Sequence, residues 1–171
     1  MNVPRMSVMW NNYPDTPDKR LVAQSVGGSI LNDFNSDPNY NTCCIRTSLA
    51  LNKSGVPISK SFCDGLQNRY VPPKVRAGQG ADKNWYIASV YDMRVYLEAR
   101  FGQPKRFKRM SKEELMALNT GPGILMFFSP HCDLWDGSKI RYNDEEWAKP
   151  HVEQLLLWPC LPEDTDTKVP T

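Results

Sequence analysis

Five apolar residues, Ile124 to Phe128, stand between Gly121-Pro122-Gly123 and Ser129-Pro130. A run that short and apolar, closed at both ends by chain breakers, reads as a buried strand. More β character follows. His131–Trp135 and Ser138–Tyr142 flank Asp136-Gly137, a two-residue hairpin pattern, and Val152–Trp158 reads as a last strand. Upstream the pattern is helical. Residues 41–52 place Ile45 with Leu49, and Cys44 with Ser48 and Leu51, at helical spacing, with Asn41 or Thr42 as the cap and Gly55 and Pro57 closing the segment. Val90–Phe101 carries an apolar stripe of Val90, Met93 and Leu97 between Ser89 and Gly102, and Ser111 with Glu114 forms a capping-box pattern before another helix. Helices followed by an antiparallel sheet define an α+β fold.

The 171 residues are expected to form one domain, 1–171, with residues 1–17 as an extended arm that packs Trp10 and Tyr13 on the body. A short helix is expected after Pro17, ending at Gly27-Gly28. Residues 63–84 lack periodicity and read as a long surface loop close in sequence to the helix at 41–52, and 159–171 as a flexible tail. Lys and Arg total 21 against 19 Asp and Glu, a field too weak to propose nucleic acid as partner. No apolar stretch approaches a membrane span, and residues 1–14 lack the apolar core and small-residue cleavage site of a signal peptide.

Chemistry concentrates on few residues. Cys43 opens a helix, where unpaired N–H groups and the helix dipole favour a thiolate. The chain holds two histidines, His131 and His151, and His131 opens a strand. A histidine at a strand end facing a helix-start cysteine is the arrangement of papain-like cysteine hydrolases. A third polar group orients such a ring. With Asp136-Gly137 as the turn, Tyr142 falls opposite His131 and Asp144 diagonal to it. Asp144 is therefore assigned the third role, with Asp133, on the histidine's own strand face, as the alternative. Other readings of the same residues are open. Cys43 is a buried small hydrophobe and His131 a structural strand residue on the bland reading. Cys43, Cys44, His131 and Cys132 have poor spacing for a metal site. Cys63, Cys132 and Cys160 would be open to redox control if the protein reaches an oxidising compartment. Arg46 reads as a structural ion-pair residue, Trp135 as core, and His151 as a strand-entry residue.

At these residues the chain resembles the type VI secretion amidase effector family 4, a papain-like, NlpC-type group of peptidoglycan amidases. Residues 41–52 with 54–58 resemble its nucleophile helix, and His131-Cys132-Asp133-Leu134-Trp135-Asp136-Gly137 its histidine strand. Val26-Gly27-Gly28 and the helix ending at Phe101-Gly102 are weaker echoes. The resemblance spans roughly residues 8 to 158. It implies a papain-like fold, N-terminal helices packed on a C-terminal antiparallel sheet, and hydrolysis of the γ-D-glutamyl–meso-diaminopimelate bond of peptidoglycan stem peptides. It implies Cys43 as nucleophile, with its backbone N–H helping to bind the oxyanion, His131 as base and acid, and Cys44 as a packing position. No metal or organic cofactor is implied. It implies an antibacterial toxin made in the producer's cytoplasm, carried by the type VI secretion machinery into the target periplasm and blocked by a cognate immunity protein. Two residues depart from the family pattern. Pro130 precedes the histidine where glycine is usual, and Tyr142 occupies the place of the acidic partner, so Asp144 fits only if the hairpin register shifts by two. A housekeeping or phage murein peptidase of the same fold, and a catalytically inactive wall- or partner-binding protein, are the competing functions.

Overall fold

The computed structural model describes residues 3–37, 39–67, 74–128, 130–142, 145, 147 and 154–162. The chain opens with helix α1, Met6–Asn12, not the extended arm expected over 1–17. Met6, Met9 and Tyr13 are buried at helical spacing, and Pro4 and Pro14 lie outside the helix, bounding it without breaking it. Arg5 bridges to Leu161: Met6 N–H donates to Leu161 O at 2.9 Å and Leu161 N–H to Pro4 O at 2.9 Å. Residues 159–161, expected to be flexible tail, are thereby held to the body; Pro159 itself ends the last strand.

Helix α2, Lys19–Val26, starts at Asp18, whose carboxylate accepts from Arg20 N–H at 2.8 Å. It stops at Gly27, as the glycine pair predicts, but Gly28 begins another helix, α3, Gly28–Ser36. Both glycines have positive φ, and a Cβ on Gly28 would lie 2.3 Å from Gln79 O. The pair therefore serves a close approach between backbones as well as a turn.

Helix α4, Cys43–Lys53, is the centre of the molecule. Every residue from Cys43 to Leu51 is buried, so its amphipathic spacing understates how completely it is enclosed. The expected loop over 63–84 is more structured than its lack of periodicity suggests. Its first residues end a short helix, α5, Lys60–Gly65, and a two-stranded ribbon joins β1, Gly78–Gln79, to β2, Trp85–Tyr86. Helix α6 occupies Val90–Phe101, as its caps predict.

The sheet gains a strand that the sequence pattern does not show: β3, Lys105–Lys108, whose charged residues sit at an edge. Helix α7, Lys112–Ala117, carries the full Ser111–Glu114 capping box. Strands β4, Gly123–Phe127, β5, His131–Trp135, and β6, Gln154–Pro159, complete an antiparallel sheet in the order β3-β6-β4-β5. One apolar layer joins Ile124, Met126, Leu156 and Trp158 to α1, α4 and α6; a second joins Leu125, Phe127, Trp135 and Leu157 to Leu115 of α7.

The segment after Asp136-Gly137 is no regular strand. Trp135 bridges to Ile140, and Asp136 N–H donates to Lys139 O at 3.1 Å, so four residues make the turn. Asp136 drives this by accepting from the N–H groups of Ser138, at 2.7 Å, and Lys139, at 2.9 Å. The pairing is two residues away from the expected one, which places Tyr142 beside Asp133 rather than opposite His131.

Gly123 allows β4 and β6 to approach, since a Cβ there would lie 2.4 Å from Trp158 O. Gly123→Ala is expected to destabilise the protein by about 1–3 kcal/mol, read from urea unfolding, as overpacking against backbone does.

Candidate active site

The Cys43 side chain emerges at the start of α4 and the His131 side chain at the start of β5, the sheet edge along which α4 packs. The two act on each other electrostatically, and both are nearly enclosed, 3% and 5% exposed. His131 Nε2 lies 3.2 Å from Asp133 Oδ2, which leaves Nδ1 as the ring nitrogen for Cys43. Asp133 is fully buried; its Oδ1 accepts from Leu134 N–H at 2.8 Å and its Oδ2 from Tyr142 N–H at 3.2 Å. The shifted register supplies that last bond. It also meets, as far as Tyr142, the condition that Asp144 requires. Asp144 itself, like His151, lies outside the described residues.

The electrostatics favour a charged pair. A hydrogen bond from the Cys44 thiol lowers the Cys43 pKa well below its ordinary value. Burial opposes this, while the His131 hydrogen bond and charge and the N–H of Cys132 reinforce it. Burial disfavours the His131 imidazolium, but contact with Asp133 and Cys43 outweighs it and raises the pKa to about 10. Both shifts run in the direction that favours the thiolate–imidazolium form of the pair.

Asn41 contributes more than a cap. Its Oδ1 accepts from Cys43 N–H at 3.0 Å, and its Nδ2 donates to Pro130 O at 3.4 Å, tying the helix start to the residue before His131. The N–H expected to bind an oxyanion is thus already engaged at rest. Cys44 is fully buried, with its sulfur 3.8 Å from that of Cys43, and burial pushes its own thiol up. Cys132 Sγ contacts Thr47 Oγ1 at 3.5 Å, while Cys160 packs on Met9, and none of the five cysteines is in a disulfide. Among the described residues no cluster could hold a metal.

Two buried polar residues behind the site were not legible as such. Arg46, expected in an ion pair, has none among the described residues. Its Nη1 donates to Pro14 O at 2.6 Å, its guanidinium lies 4.0 Å above the Tyr142 ring, and its Nε and Nη2 lack hydrogen-bond partners. Its position is set by cation–π contact rather than a carboxylate. The Tyr13 hydroxyl is likewise buried without a partner, and burial, then the nearby Asp133 and Cys43 charges, raises its pKa well above ordinary. Trp135 is core, packed on Trp147.

A buried cysteine at a helix start, paired with a histidine on an antiparallel strand of an α+β scaffold, defines the papain-like class. Residues 39–158 match the family of type VI secretion system amidase effector protein 4, Tae4, and the chain belongs to that family. Solved structures agree. Tae4 from Salmonella typhimurium, in effector–immunity structures with Tai4, is 26% identical over 94% of this chain and 100% of that one, with TM-scores of 0.71 and 0.73. The Tae4–Tai4 complex from Enterobacter cloacae has the same fold, with 20% identity over 94% and 99% of the two chains and a TM-score of 0.74. No curated protein matches. The family is one of amidases, and the expected α+β, papain-like fold is the observed one.

Two outcomes test this electrostatic picture. Alkylation of Cys43 by iodoacetamide should proceed well below pH 9 in the wild type, and its pH midpoint should move upward in His131→Ala. Tyr13→Phe removes a hydroxyl that has no partner, so thermal unfolding should show stability unchanged or raised by about 1 kcal/mol.

Proposed function

We propose that this protein hydrolyses the γ-D-glutamyl–meso-diaminopimelate bond of peptidoglycan stem peptides, with Cys43 as nucleophile, His131 as base and acid, and Asp133 holding the ring. The observation that carries the reading is the buried Cys43–His131–Asp133 chain, in which each group favours the charged form that the next requires.

Attack of the Cys43 thiolate on the γ-carbonyl forms the carbon–sulfur bond and moves charge to the carbonyl oxygen. That oxygen lies near the start of α4, where the Cys43 N–H is a donor once it leaves Asn41 Oδ1. The imidazolium then gives its proton to the departing diaminopimelate amine, and the carbon–nitrogen bond breaks. The neutral ring takes a proton from water, which attacks the thioester and releases the D-glutamyl acid, restoring thiolate and imidazolium. Asp133 keeps the ring oriented and its Nε2 protonated throughout.

The family membership supports delivery by the type VI secretion machinery. Action in the target periplasm and inhibition by a cognate immunity protein follow the same reading, since the related Salmonella and Enterobacter effectors were solved with Tai4.

Mass spectrometry of diaminopimelate-type muropeptides tests the reaction. Wild type should release products cut between D-glutamate and diaminopimelate, and Cys43→Ala none. Asp133→Asn should lower kcat by about a hundredfold or more; an Asp144→Ala variant with the larger loss would transfer the orienting role to that residue. With the usual orders of the two pKa values reversed, kcat/KM should plateau through neutral pH. It should fall in acid as Cys43 gains a proton, and in alkali as His131 loses one near pH 10.

A further inference from the structure

A cavity of about 340 Å³ lies against the start of α4, lined by Asp33 and Asp37 at the end of α3, Asn41, Arg76, Gly78 and Asp92 among others. Asn41 belongs both to this cavity and to the active site, since its side chain accepts the Cys43 N–H. A ligand in the cavity is therefore two residues from the nucleophile along the chain.

The charges in the cavity are of both signs and are differently held. Asp92, in the first turn of α6, is buried, with 1% of its side chain exposed. It fixes Arg76 through Nε at 3.1 Å, while the Arg76 side chain remains 62% exposed. That contact is the one polar contact of the Arg76 side chain among the described residues, so both terminal nitrogens of an oriented guanidinium face outward. A guanidinium anchored on one side and free at its fork is built to take a carboxylate by two parallel hydrogen bonds. Asp33 and Asp37 are exposed carboxylates that line the same space and suit an ammonium.

Within the amidase reading, on which this inference rests, one part of the substrate carries both charges on one carbon. It is the free end of meso-diaminopimelate, an ammonium beside a carboxylate. The α-carboxylate of D-glutamate would satisfy Arg76 but leave the acidic pair without a counter-ion. We propose that this cavity is a specificity subsite for the zwitterionic end of diaminopimelate, with Arg76 binding its carboxylate and Asp33 and Asp37 its ammonium. Lysine in the same stem position retains the ammonium and lacks the carboxylate, so Arg76 is the residue that separates the two peptidoglycan types. Removing a charge-assisted pair from one substrate and not the other changes affinity by about tenfold or more.

The test compares two tripeptides, L-Ala-γ-D-Glu-meso-diaminopimelate and its L-lysine counterpart. Both are cleaved by wild type and variants, and both are titrated calorimetrically into Cys43→Ala protein. Wild type should favour the diaminopimelate peptide about tenfold in kcat/KM. Arg76→Gln should erase that preference through KM while leaving the lysine peptide unchanged. Arg76→Lys keeps a cation beside buried Asp92 and should also lose most of the preference, which separates fork geometry from fold damage. Asp33→Asn should weaken both peptides alike. Equal treatment of the two peptides by wild type, or an equal loss on both in the Arg76 variants, overturns the subsite. Cleavage of neither peptide overturns the amidase reading instead. The calorimetry then decides the subsite alone: Arg76-dependent binding of the diaminopimelate peptide supports it, and its absence overturns it.

Discussion

Two titratable side chains, Cys43 and His131, held side by side out of water are the constraint around which this protein is arranged. Either charge alone in that position would be strongly disfavoured by desolvation. The charged forms are favoured together because each has partners from the surrounding elements: Cys44 and the N–H of Cys132 for the sulfur, Asp133 for the ring, and backbone N–H groups of Leu134 and Tyr142 for Asp133. That requirement accounts for the full enclosure of α4, which packs along the edge strand β5. An exposed helix would hydrate the pair and let both groups revert toward their ordinary pKa values.

Much of this was legible in the chain. The helix-start cysteine, the strand-start histidine and α6 are visible because caps, breakers and periodicity agree locally. What escaped depended on distant partners. Strand β3 is charged along its length and earns its place by pairing with β6, which no local pattern encodes. Helix α3 was hidden because Gly28 reads as a terminator, whereas here it begins a helix beside the β1–β2 ribbon. Helix α1 was hidden because flanking prolines outweighed the spacing of Met6, Met9 and Tyr13.

The orienting carboxylate shows the same limit at finer scale. A two-residue Asp-Gly turn sets Tyr142 against the histidine; the turn formed is longer because Asp136 gathers the N–H groups of Ser138 and Lys139. Two residues of slippage preserve which face each side chain takes but change its neighbour. Asp133 gains a backbone donor from Tyr142, and a residue first read as an alternative becomes the group in contact with the ring.

The bridge between Arg5 and Leu161 has a mechanical consequence. The two segments run parallel, so pulling the chain backward from its first residues and forward from beyond Leu161 loads their hydrogen bonds along the strand axis, all at once. Bonds loaded in shear fail together, whereas a zipper opens one rung at a time. The clasp thus resists a pull along the two segments better than a pull across them.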